Sequence, residues 1–394
     1  MKKILITNFD MEIGGVERSL ASMLGNFDYN NYKVDLHLHS HTGALMNLID
    51  ARVNLLSEIS ACKTFRKGIK GTLLSGHPVL AIKRLISRFK AELFAKATGS
   101  TDTGYFQFQS IWDSCINSVP RVDNEYDVAI SYLWPHHFTA FNVKAKTKIA
   151  WIHTDYSIIN IDVEADLKLW QQFDYIASIS DACTAAFLST HPSLKSKIIL
   201  VENLTSPEYV LKMAEEPIEQ LLSTHFNLVS VGRLCEQKAF DRAVEVLAEL
   251  HNRGYKNINW YIVGEGGDRA LIEGIIKQHN LEDRFVLLGS TTNPYPYMNA
   301  ADIYVQPSRY EGKAVTVGEA LILAKPVIIT NYPTASSQIN DGVNGVICGQ
   351  STDGIADSIE QLYNNHVQRS MLQNYNQIAD HSNTEELRKL YEVL

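Results

Sequence analysis

The 394-residue chain has no C-x-x-C pair, and its five cysteines (Cys62, Cys115, Cys183, Cys235 and Cys348) are odd in number and scattered. That excludes a disulfide framework, offers no zinc-site spacing, and fits a reducing cytoplasm. Basic charge is also in deficit. Thirty-six Lys and Arg stand against 44 Asp and Glu, a net −8, where a dedicated nucleic-acid binder needs a basic footprint. No apolar run approaches the roughly 18 residues of a membrane span. Met1-Lys2-Lys3 before Ile4-Leu5-Ile6 imitates a signal peptide, but the run breaks at Thr7-Asn8 and Asp10 follows, leaving no adequate h-region. The expectation is a cytoplasmic protein, at most peripheral on the inner face of the cell membrane. There is no G-x-G-x-x-G, which counts against an NAD dehydrogenase. There is no D-x-D either, the paired carboxylates that commonly hold a nucleotide diphosphate through a metal.

What is present describes a globular α/β protein: 45% hydrophobic and 20% charged residues, long enough for two domains. Short apolar runs alternate with amphipathic stretches, the pattern of parallel sheets covered by helices. Strands are expected at 4–7, 34–38, 128–132, 148–152, 175–179 and 198–201, then at 226–231, 258–263, 285–288, 303–306 and 326–330. Helices are expected at 239–253, 268–280, 314–324 and 353–364. This predicts two Rossmann-like doubly wound domains facing a central cleft. Residues 1–203 and 204–370 form the domains, and a C-terminal helix over 371–394 crosses back to the first. The interdomain connection falls between 203 and about 224, where Pro207, Pro217 and several glutamates, Glu219 among them, gather.

The strongest constellation is Ser308-Arg309-Tyr310-Glu311-Gly312-Lys313-Ala314-Val315-Thr316-Val317-Gly318-Glu319, a strand end opening into a helix. Ligands of open α/β sheets bind at such ends, and unpaired amides of the first helical turn favour a phosphate. Carboxylates accept paired hydrogen bonds from vicinal diols, so Glu311 and Glu319 suit a ribose and a sugar. Glutamates opening a helix also simply complement its dipole. The second constellation, Val231-Gly232-Arg233-Leu234-Cys235-Glu236-Gln237-Lys238, places two cations after a strand, suited to a diphosphate; a solvated basic loop reads the same way. The third is Gly14-Gly15-Val16-Glu17, where a glycine pair allows close backbone approach to a phosphate or merely makes a turn.

Together with Trp151-Ile152-His153, Ser178-Ile179-Ser180, Glu202-Asn203-Leu204, Val263-Gly264-Glu265-Gly266 and Leu288-Gly289, these resemble the retaining glycosyltransferases of family 4, of B-type two-domain fold. The resemblance spans nearly the whole chain and ends in the E-x7-E motif, Glu311 to Glu319. It implies a nucleotide-sugar donor, UDP first, and a glycan or lipid-linked acceptor in cell-surface polysaccharide biosynthesis such as capsule or lipopolysaccharide. It implies Gly14 and Gly15 at the donor phosphates, Arg233 and Lys238 on the diphosphate, and Glu319 on the ribose. Glu311 would contact the transferred sugar, with Gly312, Lys313, Ala314, Val315 and Thr316 alongside. Gly264, Leu288 and Gly289 would shape the base pocket, and His153 would sit at the reacting centre. Ala239 stands where Gly is usual, and Lys313-Ala314 replaces a commoner Phe-Gly. A nucleotide-sugar epimerase and a non-catalytic nucleotide-sugar binder remain as alternatives, whereas a glycan phosphorylase would need a much longer chain.

Metal-independent chemistry without a cofactor is expected, since Arg and Lys can neutralise a diphosphate alone. His153, with Asp155 two residues on, is weighed against an ordinary core histidine. His37, His39 and His41 share one strand face, but no accompanying carboxylate or cysteine pattern makes them a metal site. Segment 61–97 carries nine basic residues against Glu92 alone. From Pro78, Ile82, Leu85, Ile86, Phe89 and Leu93 recur at helical spacing, with Gly99 just past the end. Such a helix lies on anionic lipid, packs its stripe on the domain core, or does both, with the stripe on the core and the lysines toward phospholipid.

Overall fold

The computed structural model describes residues 1–98, 104–154, 156–157, 159–218 and 225–394; Asp155, Gly99 and Glu219 lie outside these. Two compact units are present, one of Met1–Leu204 with Thr384–Leu394 and one of Thr205–Asn383. Each is a Rossmann-like unit around a parallel sheet.

The first unit contains β1 (Lys2–Asn8), β2 (Tyr32–Leu38), β3 (Asn54–Leu55), β4 (Glu125–Ser131), β5 (Lys144–Ile152), β6 (Tyr175–Ser178) and β7 (Ile198–Leu200). They pair in parallel in the order β3-β2-β1-β4-β5-β6-β7. From Ile4 onward β1 is buried on both faces, as its near-continuous apolar run demands. Its helices are α1 (Gly15–Gly25), α2 (Ser60–Lys63), α3 (Ile69–Leu74), α4 (Pro78–Thr98), α5 (Gly104–Cys115), α6 (His137–Asn142), α7 (Val163–Trp170) and α8 (Asp181–Thr190). Side-chain caps start two of them: Asp162 accepts from the amides of Glu164 and Ala165, and Ser180 from that of Cys183. Such caps satisfy otherwise orphaned amides.

The second unit contains β8 (Phe226–Val231), β9 (Ile258–Val263), β10 (Phe285–Gly289), β11 (Ile303–Gln306), β12 (Val327–Thr330) and β13 (Val346–Cys348). Their order is β10-β9-β8-β11-β12-β13, again all parallel. Helices α9 (Pro207–Ala214), α10 (Phe240–Asn252), α11 (Arg269–Gln278), α12 (Tyr295–Ala300), α13 (Val315–Ile322), α14 (Thr352–Asn364) and α15 (His366–Ile378) accompany it. The order reverses between β8 and β11, so loops leaving these two strands diverge to opposite faces and open a crevice between them.

The single terminal helix expected over 371–394 is instead two. α15 ends at Ile378, and α16 (Glu386–Tyr391) packs on the first unit. There the Tyr391 ring stacks on Tyr32 at 5.2 Å, and its hydroxyl accepts from the Asp28 amide at 2.8 Å. The break falls at Asp380 to Asn383, polar residues with no apolar period to continue the helix.

α4 corrects the packing alternative read from its sequence. Its apolar stripe faces solvent: Val79, Ile82, Leu85, Ile86, Phe89 (58% exposed) and Leu93 (66%) all stand outward. The buried side carries Leu80, Ala81, Ser87 and Ala91. Small residues let α5 approach closely, and the Ser87 hydroxyl meets the Ser110 carbonyl at 3.0 Å and Ser114 Oγ at 3.2 Å. Two of its cations do not point outward either. Lys83 donates to Ser118 Oγ at 2.8 Å, and Arg84 donates to the Thr64 carbonyl and Thr72 Oγ1, both at 2.7 Å.

Candidate functional site

The crevice between β8 and β11 collects most of the second-unit residues singled out in the sequence. After β8 the backbone passes Gly232 and Arg233 into a short turn at Glu236–Lys238, then into α10. After β11 it runs through Ser308, Glu311 and Ala314 into α13. Arg309 ties the two loops together. Its amide donates to the Gln237 carbonyl at 2.8 Å, and its guanidinium pairs with Asp241 at 2.6 Å.

Lys238 and Glu311 meet at 2.6 Å, and both side chains are largely shielded from solvent. The lysine stem lies over Gly232, where an added Cβ would stand 3.2 Å from the Lys238 carbons. Glu311 is held from several sides: Ser308 Oγ donates to it at 2.6 Å, Gln306 Nε2 at 3.2 Å and Gln237 Nε2 at 3.3 Å. A buried ion pair is tolerated when further hydrogen bonds satisfy its lone pairs. An ammonium carries three donors, so one bond to Glu311 leaves others for an anion. Arg233 is exposed on the loop that leaves β8.

Glu319, on the first turns of α13, is 1% exposed and accepts from the Tyr295 hydroxyl at 2.7 Å. At the start of α13 the Ala314 amide donates to Gln338 Oε1 at 3.0 Å. Thr316 donates to Gln306 Oε1 at 3.2 Å. Gly312, Lys313 and Val315 line the same turn, each partly exposed. Gln306, Tyr295 and Gln338 were not singled out in the sequence, and Ser308 and Arg309 only as members of the run that contains Glu311. They are polar residues at strand ends and loops, and only the packed sheet reveals that they converge.

Gly264 and Gly289 lie at the ends of β9 and β10 and bond through the Gly264 amide at 2.8 Å. A Cβ on Gly264, at φ +154°, would come within 1.9 Å of the Gly232 carbonyl. That glycine is therefore demanded by contact between backbones. Leu288 is half-buried on the same strand end.

In the first unit, Gly14 and Gly15 open α1 beyond β1, and the Glu17 carboxylate folds back against Gly14. A Cβ on Gly14 would stand 2.1 Å from Glu17 Oε2. Burial raises the Glu17 pKa to about 7, its own backbone hydrogen bond opposing and Asp10 adding to the rise. His153 follows β5, among Tyr132 (ring centroids 4.9 Å apart) and Trp151 (6.3 Å). Burial lowers its pKa to about 3, so the imidazole is neutral near pH 7. Neither ring nitrogen makes a well-formed hydrogen bond, and nor do His136 Nε2 and Trp151 Nε1. These groups line a narrow recess with Tyr105, Trp134 and Tyr156, of about 10 Å³, room for a single water.

Residues 214–379 match the family model described as glycosyl transferases group 1. An uncharacterized glycosyltransferase of Methanocaldococcus jannaschii is 30% identical over 151 residues, 37% of either chain. The poly(ribitol-phosphate) alpha-N-acetylglucosaminyltransferase of Staphylococcus aureus is 31% identical over 169 residues, 42% of this chain and 34% of the relative. The chain thus spans about a third of the length of the curated relatives it matches. Among solved structures, a mutant of S. aureus TarM, in complex with fondaparinux, alpha-GlcNAc-glycerol and UDP, superposes with TM-score 0.69. It is 16% identical, over 100% of this chain and 99% of that one. Anabaena HepE in complex with UDP and glucose gives 0.68 at 16% identity over 100% of both. The fold is that of the B-type glycosyltransferases.

Proposed function

We propose that this chain is a retaining glycosyltransferase of family 4 type. It would move a sugar from a nucleotide diphosphate, UDP first, to a glycan or lipid-linked acceptor in cell-surface polysaccharide assembly. The observation that carries the reading is the Lys238–Glu311 pair at the sheet's switch point, 2.6 Å apart and braced by three further donors. Lys238, Arg233 and the first amides of α13 stabilise charge on the departing diphosphate, electrostatic catalysis aimed at the transition state. The bond from the anomeric carbon to the phosphate oxygen breaks while the acceptor oxygen bonds to that carbon from the same face. The acceptor's proton passes to the departing phosphate oxygen, so no protein nucleophile and no metal are needed. Glu319 holds the ribose and Glu311 the sugar.

A thermal-shift screen with UDP- and GDP-sugars tests the donor, because a ligand of the native state stabilises it by mass action. One matched donor should raise Tm, and turnover should release nucleotide with a glycosylated product and survive EDTA. Release of an epimerised free sugar would replace this reading with the epimerase. Donor binding without turnover on any acceptor would leave a nucleotide-sugar binder. Loss of activity in EDTA, restored by a divalent ion, would overturn the metal-free mechanism.

The outward apolar row of α4 supports a peripheral seat on an anionic bilayer. Arg88, Lys90 and Lys96 are exposed around it, and each cation near such a surface contributes about 1 kcal/mol. The full-length protein should sediment with phosphatidylglycerol vesicles at low salt and not with phosphatidylcholine alone. Phe89→Ser with Leu93→Ser should abolish sedimentation. Indifference to both lipids would remove the membrane from the reading.

A further inference from the structure

Away from the strand-end site, β2 ends in a side-chain cluster that no step above uses. His37 and His39 lie two residues apart in extended chain, so their rings share one sheet face. Cys62, on α2, comes to the same place. Exposures are 1%, 4% and 0% respectively. His37 Nε2 and His39 Nδ1 are 3.3 Å apart, and the three potential ligand atoms all lie within 4.8 Å of one another. The walls are aromatic: His37 stacks on Phe138 at 4.6 Å, and His39 packs edge-on to Phe9 at 5.4 Å and tilted on Trp112 at 5.2 Å.

A tetrahedral zinc ion with bonds of about 2.0–2.1 Å to nitrogen and about 2.3 Å to sulfur sets its nitrogens roughly 3.4 Å apart, and nitrogen and sulfur roughly 3.6 Å. The observed imidazole pair already has the first spacing, and the Cys62 sulfur, within 4.8 Å of both nitrogens, would close to the second on binding. We propose that His37, His39 and Cys62 bind a thiophilic d10 cation, zinc first, which clips the end of β2 to the first helix of the α2–α5 insertion. The Cys62 S–H bond breaks as the sulfur–metal bond forms, and one proton leaves to solvent per cation bound. His41, which shares the strand-face spacing, is not part of the cluster; its amide donates to Glu58 at 2.6 Å. Among the described residues no fourth His, Cys, Asp or Glu joins the group, so one position is left for water or an exogenous ligand. A bare histidine–histidine hydrogen bond beside a buried thiol is the competing account, and it predicts no binding.

The test uses the full-length protein stripped of metal by chelator dialysis, and it rests on no part of the glycosyltransferase reading. Cobalt(II), a spectroscopic stand-in for zinc, should give a sulfur-to-metal charge-transfer band saturating at one ion per chain, and zinc should abolish it. Cys62→Ser should lose the band while keeping the wild-type circular dichroism. Two measurements need no variant: zinc should raise the wild-type Tm, and binding should release one proton per ion at pH 8. Absence of the band and of proton release overturns the proposal, as does a band that Cys62→Ser leaves unchanged.

Discussion

The two sheets share one winding, with the strand order reversing beside β1 in the first unit and beside β8 in the second, yet they arm that position differently. The second unit sets full charges there and fixes them. Lys238 is paired with Glu311, Arg309 is paired with Asp241, and hydrogen bonds close around both loops. The first unit keeps one such pair just past β1, Asp10 with Arg66 at 2.5 Å, and sets less charged groups around it. A glutamate is pushed toward neutrality at the start of α1, and a neutral His153 stands among aromatic rings. Fixed charge suits a site that must answer a diphosphate without reorganising, because preorganised dipoles and ions cost nothing at the moment of reaction. Neutral imidazole and indole groups suit hydroxyl-bearing ligands, which need donors and acceptors but no counter-ion.

The sharpest way to break that contrast is to remove one fixed charge. Lys238→Ala should lower turnover by about 10²–10³-fold, the usual loss when one preorganised donor is removed from developing charge. Glu319→Ala should act mainly on donor affinity. Pre-steady-state turnover and donor titration separate the two. Equal, negligible effects of both would mean that the charged crevice is only scaffold. Since removing Lys238 also strands the Glu311 carboxylate, Lys238→Arg is the control, and it should restore stability more than rate.

The first unit's buried glutamate gives the next effect. Folded Glu17 titrates at about 7 against 4.5 for the free side chain, chiefly because it is buried. Below about pH 4.5 both folded and unfolded chains hold the proton, and the wild type is at no disadvantage from this residue. As pH rises toward 7 the unfolded chain ionises first, so stability falls, and above 7 the loss is complete at about 3 kcal/mol. Glu17→Gln should therefore match the wild type near pH 4.5 and exceed it by up to that amount at pH 8. Denaturant melts across the range measure the gap. Parallel curves would show that Glu17 is solvated and that the two units do not differ in this way.

How far the sequence discloses such a site depends on whether a residue's role is local. Lys238 and Glu311 stand out because each follows a strand and opens a helix, a signal contained in about ten residues. Ser308 falls inside the same run, but its bond to Glu311 depends on the turn that β11 makes into α13. Gln306 reaches Glu311 through that turn and Tyr295 reaches Glu319 from a separate helix, so no local pattern gives either a role. The strands β3 and β13, of two and three residues, are too short for any period to register. The amphipathic pattern of α4 gives the helix but not its orientation. Periodicity identifies two faces, and here the face of Ala81, Ser87 and Ala91 is the buried one, because close approach to α5 favours small side chains over large ones. Cys62 joins His37 and His39 from a different element, which no spacing rule connects.

The smallest effect lies beside the lysine itself. Ala239 has φ 55° and ψ 37° between the Lys238 turn and α10, the left-handed region that a Cβ disfavours by roughly 1–2 kcal/mol. A glycine would remove that strain. It would also free the unfolded chain, at a cost of about 0.4–1 kcal/mol, and delete a fully buried methyl worth up to about 0.8 kcal/mol. These terms nearly cancel, so Ala239→Gly should shift stability by less than about 1 kcal/mol and leave turnover intact. Ala239→Val carries a β-branch into the same backbone with nothing to offset it, and should cost at least about 2 kcal/mol. Urea melts of the pair read the backbone directly. If valine is tolerated as well as glycine, residue 239 is not left-handed in solution, and the turn that aims Lys238 across Gly232 is built differently from the one described.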